Sequence, residues 1–410
     1  MDAELLKIRP HINSKLENQR QPALLLAAIE ETIKEQSESP SAVSYHSLLL
    51  STLDEAVTNK KLDIAASALY LEAIVVKFVN KNILHNQYQI LESLLNLLAT
   101  YNSNTPALKS LLVVLEEYYT ALDNQQLQLQ SFKSSFNDLL QLTIDNRPKV
   151  RKLAQSTVIN ILTIDHPYLN STTNWVIKSF DQLVKRNTPT EAGIHLCALV
   201  QALDSIWPIQ TLPKLATSLL NTPHLGNSYL TSSSYHLLSH LLSNKQSHTT
   251  FEEDKLKSLV ETIATSFPKP DDVLLLSPWL AILDAAISSY ARHDPEAASL
   301  LILNVWPKVY GDYGLASTHT DVRKSAEKAL CGIIRWGVTT DMIKNTVEKN
   351  GRVNLQPILD NILSSLTGIA HRQALPNVIT VLVAMISKLR VRFNTPGSTA
   401  AEGMHNLYLK

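Results

Sequence analysis

Glycine is scarce in this chain, with 10 of 410 residues. Glycine-rich phosphate loops, tight β-hairpins and doubly wound nucleotide folds all require glycine at defined turns, so the composition disfavours these classes. Cysteine is scarcer still: Cys197 and Cys331 lie far apart, and neither has a CxxC partner. They fit buried thiols in a reducing compartment better than a disulfide or a metal site.

Neither sign of charge is in excess, because 37 Lys and Arg residues balance 37 Asp and Glu residues. Non-specific adhesion to nucleic acid over the whole surface is therefore not expected, although a local basic patch is compatible with this balance. The chain also lacks a signal stretch at its start and an uncharged run of about 18 residues, so no membrane partner is expected.

Catalytic motifs are missing as well. The sequence contains no nucleophile elbow, no phosphate loop with Gly-Lys-Ser/Thr, no GxGxxG and no paired CxxC. We therefore expect no enzyme activity, no cofactor and no small-molecule substrate. His236 and His240 are spaced i, i+4, but Leu237 stands where the zincin motif places glutamate, so a metal site is not predicted there.

One helical pattern is present twice. Asp145 and Pro148 form a turn, Val150-Arg151-Lys152 open a helix, and an apolar stripe follows at Ala154, Val158, Ile161 and Leu162. The same pattern starts again at Val322-Arg323-Lys324, 172 residues later, with Ala326, Leu330, Ile333 and Ile334. A Val-Arg opening with a small residue where helices cross resembles the second helix of a HEAT repeat. The spacing is close to four repeats of about 40–47 residues.

Prolines behind capping residues mark further expected helix starts. These pairs are Thr105-Pro106, Thr188-Pro189, Thr222-Pro223, Ser277-Pro278 and Asp294-Pro295. We therefore predict an all-α fold of the HEAT/armadillo type, an α-solenoid built as a superhelical array of antiparallel helix pairs. The array is expected over residues 1–394, with residues 395–410 as a loop or fragment end.

Several segments resemble one HEAT-repeat family in particular. Residues 8–21 and 28–33 are similar to the N-terminus of the ribosomal RNA-processing protein 12 family, and residues 146–155 resemble that family's Arg-Pro-Lys-Val-Arg segment. Ser277–Leu280 and Asp294–Glu296 follow in the same order, ahead of the second Val-Arg helix.

The resemblance implies a non-catalytic ribosome biogenesis scaffold of the nucleus and nucleolus. Such proteins associate with pre-ribosomal particles (pre-rRNA and assembly factors) and support small-subunit rRNA maturation and nuclear export of subunits. Family members are considerably longer, so we expect this chain to be the N-terminal part of a longer protein. The alternatives are a karyopherin-like nuclear transport receptor, with Ran and Phe-Gly nucleoporins as partners, and a general protein–protein interaction platform.

The candidate contact residues for nucleic acid or a partner are the cations of the two Val-Arg helices. They are Arg147, Lys149, Arg151, Lys152, Arg323 and Lys324. Such cations suit a phosphate backbone. The alternative for Arg151 and Arg323 is a hydrogen-bond ladder between neighbouring repeats, with the other cations merely solvated. The five tryptophans (Trp175, Trp207, Trp279, Trp306 and Trp336) lie in apolar helical patterns, which favours core positions over stacking on bases.

Overall fold

The computed structural model describes residues 1–36, 39–186, 191–243, 251–349, 351, 353–367 and 373–393. Within these ranges the regular structure is helical and contains no strand. The chain forms two compact units: unit one comprises Met1–Trp175 and Ala198–Trp207, and unit two comprises Val176–Cys197 and Pro208–Lys410. The predicted loop at 395–410 lies outside the described residues.

Helices follow one another with short connections. The first ten are α1 (Asp2–Ile8), α2 (Glu17–Glu35), α3 (Ala42–Thr58), α4 (Leu62–Val75), α5 (Lys81–Asn86), α6 (Tyr88–Thr100), α7 (Thr105–Tyr119), α8 (Gln130–Leu142), α9 (Pro148–Ile161) and α10 (Leu169–Arg186). The next ten are α11 (Glu191–Ala202), α12 (Leu212–Leu220), α13 (Ser228–Ser243), α14 (Glu253–Thr265), α15 (Val273–Tyr290), α16 (Pro295–Tyr310), α17 (Thr320–Gly337), α18 (Thr340–Glu348), α19 (Gln356–Thr367) and α20 (Leu375–Phe393).

In unit one, helices pack in two rows. α2, α4, α7 and α9 lie side by side in one row, and α3, α6 and α8 pack against them. α4, α7 and α9 begin at residues 62, 105 and 148, so one repeat takes 43 residues. The interior between the rows is apolar, as on α7, where Leu108, Leu111, Leu112 and Leu115 are fully buried. The regular spacing follows from repeats that bury their apolar faces on their neighbours.

Unit two repeats this arrangement. α13, α15, α17 and α20 form one row, and α12, α14, α16 and α19 pack against it. α15 is long and apolar enough, by length and composition, to cross a membrane, but 61% of its apolar window is buried inside the protein. Its contacts with α13, α14, α16 and α17 identify it as a core helix of the array.

Polar contacts between successive repeats join residues about one repeat apart. In unit one, Glu116 accepts hydrogen bonds from Thr157 (2.9 Å) and Asn160 (2.8 Å), which lie 41 and 44 residues further along. In unit two, the hydroxyl of Ser299 donates to the carbonyl oxygen of Gly337 at 3.0 Å, 38 residues away. The all-α HEAT solenoid predicted from the sequence is confirmed.

The proline rule predicts some helix starts and misses others. Asp294 caps α16 as expected, since its side chain accepts from the amide of Ala297 at 2.9 Å. The predictions at Thr105 and Ser277 are wrong: Asn104 caps α7, and Asp272 caps α15, so that Pro278 lies inside the helix. Thr222-Pro223 opens a 3-10 turn rather than an α-helix, and Thr188-Pro189 lies outside the described residues.

Candidate nucleic-acid interface

The basic block of residues 147–152 spans the start of α9. Arg147 immediately precedes the helix, and its guanidinium forms a two-point ion pair with Asp145, with Nη2–Oδ2 at 2.8 Å and Nε–Oδ1 at 2.9 Å. The hydrogen bond from Arg147 lowers the pKa of the Asp145 carboxyl against the opposing effect of burial. Arg147 also donates to the backbone carbonyl of Asn102 and, at 3.2 Å, to its Oδ1. It therefore ties the loop before α9 to the loop before α7, one repeat earlier.

Arg151 and Arg323 make equivalent contacts in the two Val-Arg helices. Nη1 of Arg151 donates to the carbonyls of Asp145 (2.8 Å) and Asn146 (3.4 Å), six and five residues back. Nη1 of Arg323 donates to the carbonyls of Ser317 and Thr318, both at 2.8 Å and again six and five residues back.

Each arginine thus folds back onto the loop that precedes its own helix. The ladder between repeats predicted as the alternative for these two residues is wrong. In the first Val-Arg helix Arg147 makes the contact to the neighbouring repeat instead. A reach of five or six residues suits an arginine in the first turn of a helix, because its side chain extends toward the preceding loop.

The lysines of the two Val-Arg helices, unlike the arginines, do not hold a loop in place. Lys149, Lys152 and Lys324 are exposed, and the described part of the chain provides none of them with a hydrogen bond or ion pair. Lys152 and Lys324 occupy the same position after the Val-Arg pair. Contact with nucleic acid or a partner stays a prediction for all six cations, and the geometry favours the three lysines because their charges face solvent.

Two further cations lie near Lys324 on α17 and were not singled out from the sequence. Lys328 and Arg335 are exposed, and with Lys324 they stand at i, i+4 and i+11 on one helix face. We call Lys324, Lys328 and Arg335 the α17 stripe. Its spacing is a readable sequence signal, which the focus on the Val-Arg opening overlooked.

A groove of about 400 Å³ lies beside Lys328 of the α17 stripe. Its lining comes from α13, α15 and α17 and includes His236, Ser277, Ala281, Asp284 and Lys328. Burial raises the pKa of Asp284 to about 6, although a hydrogen bond from Ser288 and the charges of Lys328 and Arg335 lower it. Ser277 and Ala281 contribute small side chains of α15 to the lining, and Lys328 of the α17 stripe lies at the groove beside them.

The tryptophans divide into buried and exposed positions. Trp207, Trp279 and Trp306 are buried, as predicted, and Trp175 is half-buried. The core prediction is wrong for Trp336, whose exposed fraction is 45%. Its indole ring lies in the last turn of α17 with the guanidinium carbon of Arg292 4.9 Å from the ring centroid.

A buried ionisable pair was also missed. His46 and Glu72 have exposed fractions of 0% and 1%, and their Nδ1 and Oε1 atoms are 2.6 Å apart. Nε2 of His46 lies 3.1 Å from Oε1 of Gln87. Burial lowers the pKa of His46, but hydrogen bonding and attraction to Glu72 outweigh it and the net shift is upward. Since His46 is fully buried and Glu72 almost so, the pair belongs to the core of unit one and does not form a solvent-accessible site.

No group of three or more His, Cys, Asp or Glu residues suited to a metal ion occurs among the described residues. His236 and His240 are exposed on α13. The cysteines are both free, Cys197 buried and Cys331 half-buried.

Two family models match this chain. One, described as RRP12-like, N-terminal HEAT repeats, matches residues 8–193, and the other, described as ribosomal RNA-processing protein 12, HEAT repeats, matches residues 316–407. The chain belongs to the ribosomal RNA-processing protein 12 family. The family resemblance stated from the sequence is therefore confirmed.

Curated relatives agree with the ribosomal RNA-processing protein 12 assignment. Ribosomal RNA-processing protein 12 of Saccharomyces cerevisiae is 26% identical, with 96% of this chain and 36% of the relative aligned. The putative ribosomal RNA-processing protein 12 of Schizosaccharomyces pombe is 24% identical over 95% of this chain and 34% of the relative. The human RRP12-like protein is 21% identical over 78% of this chain and 25% of the relative. This family member thus spans about a third of the length of the yeast relatives it matches.

A likeness among solved structures is weaker. An engineered protein of known crystal structure aligns with 93% of this chain and 99% of its own at 14% identity and a TM-score of 0.39. At that level it adds nothing to the fold assignment.

Proposed function

We propose that this chain is a non-catalytic HEAT-repeat scaffold of ribosome biogenesis. In this proposal it resides in the nucleus and nucleolus and associates with pre-rRNA and assembly factors in pre-ribosomal particles. There it supports small-subunit rRNA maturation and nuclear export of subunits. The observation that carries the proposal is the family match at both ends of the array, joined to relatives named for ribosomal RNA processing. The proposal also includes a single array over residues 1–394, which would form the N-terminal part of a longer protein.

The geometry is compatible with binding along an extended surface. Solenoids bind through many modest contacts spread over stacked repeats rather than through one deep pocket. Lys149 and Lys152 in unit one, and Lys324 in unit two, offer charges that the fold itself does not use. Each phosphate contact made by such a lysine adds a small, salt-dependent increment of affinity.

The transport-receptor alternative gains no support. The relatives are named for ribosomal RNA processing, and neither Ran nor Phe-Gly nucleoporins are favoured as partners by any feature described above. Association with Ran and pore proteins is therefore the contrasting outcome of the test described next.

The test is co-sedimentation of the tagged protein with pre-ribosomal particles from nuclear extract, with sequencing of the associated RNA. We expect small-subunit precursor rRNA with the unmodified protein and a several-fold loss for the triple variant Lys149→Glu/Lys152→Glu/Lys324→Glu. Arg147 and Arg151 are left intact because they stabilise their loop, and reversing them would confound binding with folding. The matched control reverses Lys15, Lys34 and Lys77, which are also exposed.

Sedimentation as free protein, or only with Ran and pore proteins, would reject the proposed function. An equal loss for the triple variant and its control would reject the assignment of the three lysines.

A further inference from the structure

The C-terminal end of α17 places an exposed aromatic ring among several cations. Trp336 exposes 45% of its surface, and Arg292, from the loop after α15, lies over its ring at 4.9 Å. Arg335 precedes it in the helix and is exposed. Lys388 of α20 donates a hydrogen bond to the backbone carbonyl of Arg335, which brings a third cation to the same patch.

The α17 stripe runs along the helix to Arg335, the residue that precedes Trp336. Lys324 and Arg335 are eleven residues apart on one face, which is about 16 Å along a helix axis. That length corresponds to about five nucleotides at duplex spacing and fewer in a stretched strand. Lys328 of the stripe also lines the groove between α13, α15 and α17, so the stripe and the groove adjoin on unit two.

Cations in a line that ends at an aromatic ring match the chemistry of single-stranded nucleic acid. Phosphates pair with lysine and arginine, and an unpaired base stacks on an indole, which a base inside a duplex cannot do. The guanidinium of an arginine next to an indole adds a planar cation, which can stack on the base or pair with its phosphate. A protein partner would more commonly require an apolar pocket around the tryptophan, whereas here the guanidinium of Arg292 lies over the ring.

We infer that Trp336, Arg292 and the α17 stripe form a binding site for single-stranded RNA, in which a base stacks on Trp336 and phosphates follow the stripe. This inference deepens the proposed function, because it names where precursor rRNA would be held. The site prefers unpaired segments to duplexes and tolerates different bases, because stacking uses the face that all bases share.

The test measures binding of the 410-residue chain to a fluorescein-labelled 12-nucleotide oligouridylate, with a 12-base-pair RNA duplex as competitor. We expect Trp336→Ala to weaken oligonucleotide binding about tenfold or more, and Trp336→Phe to retain binding within about threefold. The matched control is Tyr229→Ala, which removes another exposed ring, 69% accessible against 45% for Trp336, on α13. Circular dichroism checks that each variant is folded.

Unchanged binding by Trp336→Ala, the same loss in Tyr229→Ala, or equal competition by the duplex would overturn the inference. A Trp336→Ala variant that binds the oligonucleotide normally but loses a co-purifying protein would also overturn it, in favour of a protein partner. Co-sedimentation with pre-ribosomal particles is scored separately. Particle association without oligonucleotide binding rejects only this site, and oligonucleotide binding without particle association rejects the proposed function.

Discussion

At the scale of single residues, the arginines and lysines of the two Val-Arg helices have different roles: the arginines hold the fold together, and the lysines keep their charge for a partner. Arg151 and Arg323 each donate to two carbonyls of the preceding loop, and such charge-assisted bonds are stronger than neutral ones. Arg323 is the more deeply buried, with 9% of its surface exposed. Lys152 and Lys324, one residue further on, make no such bonds and leave their charge for an external partner.

Replacing Arg323 by Ala should therefore lower the free energy of unfolding by about 2–3 kcal/mol, since the loop carbonyls lose charged donors. Lys324→Ala should change it by less than about 0.5 kcal/mol, as is usual for exposed positions. Urea denaturation followed by circular dichroism compares the two. Equal losses for the adjacent residues would contradict the division between structural and available cations.

Asp284 makes stability depend on pH. Its carboxyl has a pKa of about 6 in the folded protein against 3.8 when exposed, so the folded state disfavours its ionised form. Below about pH 4 the carboxyl is protonated in both states and costs nothing. The cost grows as pH rises from about 4 to 6 and is constant above that range.

Asp284→Asn should thus be more stable than the parent by about 3 kcal/mol at pH 7.5, because the pKa is raised by about two units and one pKa unit corresponds to about 1.4 kcal/mol. The difference should shrink steadily between pH 6 and pH 4. Urea denaturation of both proteins over this range measures it, and titration of other groups cancels in the comparison. A difference that does not vary with pH would show that ionisation of Asp284 is not its source.

Local sequence patterns predicted residue positions better than residue partners. The Val-Arg signature correctly located both helices because it depends on neighbours in the chain. The partner of Arg147 was not predictable in this way, because Asn102 comes near only when α7 and α9 pack together. Trp336 was misassigned for a related reason: it flanks the apolar stripe at the last turn of α17, where periodicity does not say whether another helix covers it.

At the scale of helices, the first-turn hydrogen bonds decide where each element starts. Asn104 and Thr105 are both good capping residues, and sequence alone favoured Thr105 because proline follows it. The structure instead has Asn104 in an extended conformation, with its side chain accepting from the amide of Ala107 at 3.1 Å. The choice depends on the turn that leaves α6, which no local rule for α7 includes.

Asn104→Ala should lower the free energy of unfolding by about 1 kcal/mol, the usual cost of losing a cap. Thr105→Ala should have an effect below about 0.5 kcal/mol, because Thr105 already lies in the first turn and does not cap it. Thermal or urea denaturation distinguishes the two variants. A larger loss for Thr105→Ala would restore the start predicted from the Thr-Pro pair.

At the scale of the whole molecule, zero net charge coexists with a local basic surface. Some of the 37 basic residues are bound to loops of the fold, as are Arg147, Arg151 and Arg323. The α17 stripe keeps its charge facing solvent on one helix. A neutral protein with a short cationic line binds nucleic acid through few phosphates, so its affinity should fall with salt far less steeply than that of a polycationic surface.

The salt dependence of oligonucleotide binding therefore counts these contacts. With three phosphates on the stripe, the logarithm of the association constant should fall with the logarithm of salt concentration with a slope of about −2, at about 0.7 per contact for single strands. Lys324→Ala/Lys328→Ala/Arg335→Ala should remove nearly all of that slope, whereas Lys15→Ala/Lys34→Ala/Lys77→Ala should leave it unchanged. A slope that both triple variants reduce equally would mean that diffuse charge, and not the α17 stripe, attracts the strand. A residual affinity in the stripe variant that Trp336→Ala then abolishes would assign the salt-independent part of binding to base stacking, because stacking releases no counterions.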